Sequence, residues 1–236
     1  MGSSLNGWRP YGAWTAAADS ADAEYLTDDT LRADLGTADG LQCSASDALD
    51  AIRKDLAAPR TVVRLVGLSG VGKTRFAQAL FDRRIGDSPL PASLAVYTNL
   101  MDEPDPPPVA LLTNLIANGK RAILVVDNCP PDLHERLTET CRRESSKVSL
   151  LTVEYDVRDD QPEGTHVVQL YQASAGLITG LIQRRYPRVS VPSEPARGIE
   201  GVPESPIAIN GGDAPSEGSL LAFSESRQAR ISTVST

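Results

Sequence analysis

Eight residues from Gly67 to Thr74, GLSGVGKT, hold three glycines and a Lys-Thr pair between the apolar run TVVRLV and the segment RFAQALFD. The spacing Gly67-x-x-x-x-Gly72-Lys73-Thr74 is that of a phosphate-binding loop. In such a loop the glycines let the main chain curl until successive N–H groups point at phosphate oxygens, aided by the positive end of the helix that follows. Gly67, Ser69, Gly70, Val71 and Gly72 would form the cradle, Lys73 would neutralise β- and γ-phosphate charge, and the Thr74 hydroxyl would ligate Mg²⁺. Arg75 is expected beside the same nucleotide. A glycine-rich turn without a ligand needs neither the lysine nor the threonine, so the pattern points to nucleotide chemistry.

A metal held on one side by a hydroxyl needs an acid opposite. The run ILVVDN supplies Asp127 at the end of an apolar strand, 54 residues beyond Lys73. Such an Asp more often caps a turn, but downstream of this loop it falls where the Walker B acid belongs. The expected chemistry is Mg²⁺-assisted attack of water on a γ-phosphate, with Lys73 and the loop amides stabilising the developing charge. ATP is favoured over GTP, since no N/T-K-x-D guanine-reading pattern follows Asp127.

These residues need a scaffold, and the pattern around them alternates between elements. TVVRLVG reads as a strand, TRFAQALFDRRI as a helix, SLAVYTN as a strand and PVALLTNLIANG as a helix entered through prolines and left near Gly119. RAILVVDN is a strand, DLHERLTETCRRE a helix, KVSLLTVEY and HVVQLY two more strands, and ASAGLITGLIQRRYP a last helix. Upstream, Ala48, Leu49, Ile52 and Leu56 form one helical stripe, with Ser46 or Asp47 as N-cap and Pro59 as stop. Wholly apolar strands separated by helices predict an α/β fold, a three-layer parallel sheet of the P-loop NTPase type with about five strands. In that arrangement the strand after Asp127 sits between the two motif strands, and the nucleotide lies at the strands' carboxyl ends. Residues 1–45 read as a helical or irregular acidic lead-in, 46–188 as the NTPase core, and 189–236 as a disordered Ser/Pro/Gly-rich tail. The abrupt change at the tail is expected of either a native extension or a truncated or frame-shifted end.

Charge and composition narrow the partners. Residues 1–60 carry ten acidic and five basic side chains, 61–189 fifteen of each, and 190–236 six and three. A neutral middle with acidic flanks makes direct nucleic-acid binding and attraction to anionic membranes unfavourable expectations. No apolar run approaches a membrane span and no export signal is visible, so the expected compartment is the cytoplasm. Cys43, Cys129 and Cys141 stand too far apart for a C-x-x-C pair, and Cys129 reads as a buried, inert thiol. His134 and His166 lack metal-ligand spacing and read as surface or strand residues. Trp8 and Trp14 in the lead-in either cover an apolar patch or bind a partner.

GLSGVGKTRFAQALFD, AILVVDNCP and VSLLTVEYD, in that order, resemble the signal-transduction ATPases with numerous domains, the STAND group that includes NB-ARC and NACHT proteins, and more distantly AAA+ ATPases. The resemblance implies a switch in which nucleotide exchange and slow ATP hydrolysis toggle a larger protein between states, together with protein partners. It makes Gly67, Gly72, Lys73 and Thr74 the phosphate and Mg²⁺ loop, Asp127 the Walker B acid, and the strand end from Thr152 to Glu154 the sensor position. Relatives often carry a second acid after the Walker B Asp, where this chain has Asn128; an amide orients water but takes no proton, leaving Glu154 as the candidate base. The Arg common on that sensor strand is missing, and Arg184 and Arg185 read as a solvated helix end. The helical lid and winged-helix part expected after residue 187 are not legible in the tail. Two other classes therefore stay open: a nucleotide or small-molecule kinase, against which the acidic, proline-rich MDEPDPPPVA argues, and a non-catalytic interaction protein built on a truncated core.

Overall fold

In β4 (Val62–Val66), β6 (Ala122–Asp127) and β7 (Val148–Val153) every residue is buried, as strands must be when both faces of their sheet are covered. The computed structural model describes residues 5–16, 31–36, 42–154 and 164–186, apart from the side chains of Leu31 and Arg185. With β5 (Ala95–Asn99) and β8 (Thr165–Leu170), these strands form a parallel run in the order β5-β6-β7-β4-β8. β7, which follows Asp127 in the chain, lies between the two motif strands β6 and β4, matching the order expected from the sequence.

The sheet is nevertheless mixed and has eight strands, where about five parallel ones were expected. The additional strands come from the segment read as helical or irregular. β1 (Trp8–Pro10) pairs antiparallel with β5, β2 (Leu31–Asp34) antiparallel with β8, and β3 (Gln42–Ser44) antiparallel with β2. Strands of three or four residues carry too little alternation to be recognised. Physically they cover both edges of the parallel run, whose exposed N–H and C=O groups would otherwise template pairing with other chains.

Side-chain parity assigns the helices to faces. Val63, Leu65, Ile123, Val125, Leu151 and Val153 point to the face covered by α1 (Tyr11–Ala16), α2 (Ala45–Ala57) and α3 (Lys73–Ala79). Val62, Leu124, Val126, Val148 and Leu150 meet α4 (Pro108–Ala117) and α5 (Pro131–Cys141) on the other. The last helix, α6 (Ala175–Arg185), is capped by Ser174, whose Oγ accepts from the Leu177 N–H at 3.1 Å. Two boundaries differ from expectation. The N-cap of α2 is Ser44, whose Oγ accepts from the Asp47 N–H at 3.1 Å, one turn before the apolar stripe begins. α3 stops at Ala79 although helical spacing continues, because the buried Arg53 guanidinium donates to the carbonyls of Ala79 (2.8 Å), Leu80 (3.1 Å) and Ile85 (2.7 Å) and so satisfies a helix end early. The expected tail, 189–236, and the acidic patch around residues 18–29 lie outside the described residues. Among the described residues no helix is long and apolar enough to cross a membrane.

His134, expected on the surface, is buried on the inner side of α5 at 1% exposure. Its Nδ1 lies 2.8 Å from Thr152 Oγ1 and its Nε2 lies 3.2 Å from Thr165 Oγ1, so the imidazole ties α5 to β7 and β8. Burial, seconded by the Arg64 guanidinium, pushes its pKa down to about 3. The unfolded chain takes up this proton near pH 6.5 and the folded chain does not, so stability is lost as pH falls from about 6.5 toward the folded value, by about 1.4 kcal/mol per pH unit. Urea denaturation of the wild type and His134→Gln should show the wild type's advantage shrinking steadily between pH 7 and pH 5. Parallel pH profiles would show that His134 does not titrate in the unfolded chain alone.

Candidate functional site

β4 delivers the chain to the glycine loop at the carboxyl end of the sheet, and register fixes what stands opposite. Leu65 and Asp127 both align with Val153 of the intervening β7, so the end of β6 faces the start of the loop. Gly67, Gly70 and Gly72 take φ values of 149°, 81° and 95°, a backbone that side chains resist. A Cβ on Gly67 would overlap the Leu170 carbonyl oxygen of β8, whereas one on Gly70 or Gly72 would meet no heavy atom within 4 Å. Gly67 is thus set by packing, and the other two glycines by curvature beneath open space. Leu68, Ser69, Gly70 and Gly72 are exposed, while Val71 between them is buried.

The two residues assigned to a metal come together. Thr74 Oγ1 donates to Asp127 Oδ2 at 2.8 Å, across 53 residues of sequence. Asp127 is buried and its oxygens are divided among donors: Oδ2 also accepts from the Tyr97 hydroxyl at 3.3 Å, and Oδ1 from the Asn128 N–H at 3.0 Å. A hydroxyl beside a fixed, buried carboxylate at a strand end is a hard-oxygen donor set that fits Mg²⁺.

Lys73 donates to the carbonyl oxygens of Gly67 at 2.7 Å and Leu68 at 2.8 Å, which uses two of its three N–H groups on the loop it follows. Partial burial lowers its pKa, and the negative charges of Asp127 and Glu154 oppose that shift. Glu154 is not an exposed strand end: it is 9% exposed, and its N–H is anchored to the Leu65 carbonyl at 3.0 Å. Asn128 sits at φ 56° and gives its side-chain N–H to Asn99 Oδ1 at 2.9 Å. Arg75 donates to Gln78 Oε1 at 3.2 Å and lines a cleft of about 240 Å³ with Tyr11, Thr15, Arg83 and Arg84. Cys129 is fully buried, and desolvation pushes its thiol up to about 12, in line with an inert role. Arg184 is exposed near the end of α6.

Several contributors were not legible in the sequence. Tyr97 stands on the same face as Asp127 and reaches it from β5. Arg32 in β2 is buried and donates to the Val71 carbonyl at 2.8 Å, so the lead-in holds the glycine loop from beneath. Trp14 of α1 stacks on Tyr97 with ring centroids 4.2 Å apart and planes 8° from parallel. The alternation within SLAVYTN is a signal that could have found Tyr97; nothing in the spacing of the lead-in pointed to Arg32 or Trp14.

No protein-family model and no curated protein matches this sequence. Among solved structures it is similar to a chain in the structure of an E. coli MS115-1 HORMA:CdnC:Trip13 complex, at 14% identity and a TM-score of 0.38, over 62% of this chain and 60% of that one. The match thus spans about three fifths of that chain, and at this TM-score the likeness carries no argument.

The loop glycines make a prediction about stability. Gly67→Ala adds a main-chain clash to unfavourable φ and should cost more than about 2 kcal/mol, whereas Gly70→Ala faces only the backbone term of about 1 kcal/mol. Calorimetric melts of the full chain read the difference directly. Equal losses would mean that the approach of β8 does not constrain the loop.

Proposed function

We propose that this chain binds ATP with Mg²⁺ at the glycine loop of a P-loop NTPase-type sheet and hydrolyses it slowly, as a nucleotide-dependent signalling switch module. The observation that carries it is the 2.8 Å contact between Thr74 and Asp127 beside an exposed loop with three positive-φ glycines. Three further features support it. The parallel run places β7 between the motif strands, an order suited to ligands at the carboxyl ends. The curl at Gly70 and Gly72 leaves open space where main-chain N–H groups would meet phosphate oxygens. The negative charges of Asp127 and Glu154, the two carboxylates that the chemistry needs, both act on Lys73.

In this reading Thr74 and Asp127 hold Mg²⁺, which supplies charge neutralisation on the β- and γ-phosphates. Lys73 exchanges its loop carbonyls for phosphate oxygens, and the buried Asp127 stays oriented by its three donors. Asn128 takes no proton, so Glu154 is the group that accepts one from the attacking water. With one base and no acid beside Asp127, slow turnover is the natural consequence.

One observation favours a second reading. The cleft lined by Arg75, Arg83 and Arg84 beside α3 could take the phosphate of an acceptor, as a nucleotide or small-molecule kinase requires, although Arg84 is already held by Asp82 at 2.8 Å. Phosphate transfer to a nucleoside monophosphate would separate the two.

Fluorescent ATP and ADP titrated with Mg²⁺ against the wild type and Lys73→Ala test the site. Loss of a hydrogen bond to a charged group, about 1.5–3 kcal/mol, predicts binding weakened roughly 10- to 100-fold. Equal binding by both proteins removes the proposal. Phosphate release should fall in Asp127→Asn and Glu154→Gln, and normal release by both would displace the assigned chemistry.

A further inference from the structure

We infer that Tyr97 is a positioning residue for the Asp127 carboxylate, and that the N-terminal segment sets it through Trp14, so that the lead-in reads and controls the metal-binding pair. This rests on the nucleotide site proposed above.

Tyr97 is constrained in three ways. Its main chain is registered opposite Arg9 in the β1–β5 pair, its ring stacks on Trp14, and its hydroxyl donates to Asp127 Oδ2, the oxygen that also accepts from Thr74. Both rings are buried, Tyr97 at 4% exposure and Trp14 at 3%. The tyrosine hydroxyl is the donor of this pair, because a carboxylate offers only acceptors.

α1 is in turn fixed to the element that carries Thr74. The Tyr11 hydroxyl donates to the Gln78 carbonyl of α3 at 3.2 Å. Tyr11 and Trp14 both pack on Phe81, just past that helix, with centroids 5.7 Å and 6.4 Å away. One short helix therefore touches β5, whose tyrosine holds the carboxylate, and α3, whose first turn holds the hydroxyl. A change in the Thr74–Asp127 spacing must move one of these contacts. A leucine at position 14 would keep the contact apolar but leave part of the indole's space empty; a ring parallel to Tyr97 at 4.2 Å also fixes the angle from which the hydroxyl approaches Asp127. The Trp14 indole N–H has no hydrogen-bond partner among the described residues, so packing on Tyr97 and Phe81 is what orients it.

Tyr97→Phe keeps the ring and the stack and deletes only the hydroxyl. In the full chain it should leave ATP binding in EDTA unchanged and raise the Mg²⁺ concentration needed for half-maximal tightening about five-fold, the worth of one hydrogen bond. Trp14→Leu should move Mg²⁺ dependence the same way, and Trp14→Phe should restore part of it. A nucleotide-free readout uses Trp8→Phe, which leaves Trp14 as the one remaining tryptophan of two. There, Asp127→Asn should shift Trp14 emission, and adding Tyr97→Phe should abolish that response.

The outcomes separate. If ATP binds and Tyr97→Phe shows wild-type Mg²⁺ dependence, Tyr97 does not position Asp127, while the nucleotide site stands. If no nucleotide binds but Trp14 emission still answers Asp127→Asn through the Tyr97 hydroxyl, the coupling stands and the nucleotide site does not. Emission that is indifferent to Asp127 overturns the coupling in either case.

Discussion

The structure turns on one carboxylate oxygen. Asp127 Oδ2 accepts from Thr74 on the loop side and from Tyr97 on the edge side, and it does so inside the protein at 6% exposure. A buried anion is costly unless donors surround it. Three donors from three segments do so here, so the glycine loop, the end of β6 and the edge strand β5 are fixed relative to one another by the need to solvate one charge. The parallel sheet brings these ends to the same side. Asp127 makes their relative position specific.

The lead-in completes this arrangement from both edges. β1 pairs with β5 and positions α1 against Tyr97, while β2 pairs with β8 and places Arg32 under Val71. Both contacts reach the site from the side and leave the loop itself exposed. An edge strand that protects against mispairing therefore also brings a side chain to the glycine loop or to Tyr97. Local stability and site geometry are coupled, since fraying of β1 would release Trp14 and with it the Tyr97 ring.

The legible part of the fold was the part whose constraints are local. Glycine spacing, a Lys-Thr pair and five apolar residues before Asp127 follow from what a loop and a buried strand require within ten residues, and the loop, its strand and Asp127 lie where that spacing implied. The same pattern could not reveal β1, β2 and β3, whose three or four residues are strands only because an open edge is there to pair with. His134 failed for a related reason. Standing without metal-ligand spacing, it read as a surface or strand residue, but Thr152 and Thr165, 18 and 31 residues away, meet its ring on the inner side of α5 beside the local Thr138. Tyr97 was missed because its contact with Asp127 depends on the β5–β6 register, which pairs it with Val125, two residues before Asp127.

The division of labour among the acidic and amide groups follows from geometry as well. Asn128 occupies the position next to Asp127, but its positive φ turns the side chain along the strand ends, where its N–H is taken by Asn99. Asn99 Oδ1 also accepts from the Met101 N–H at 3.0 Å, so this amide pair is fastened to the β5 turn and orients little else. Glu154 has the opposite parity to Asp127 across the sheet end, and its main chain is pinned to β4 just before the glycine loop. The charges of Asp127 and Glu154, carried at the ends of different strands, both act on Lys73, whose ammonium is held by the loop carbonyls. The lysine and Asp127 are thus held separately, the ammonium by two loop carbonyls and the carboxylate by Thr74, Tyr97 and the Asn128 N–H.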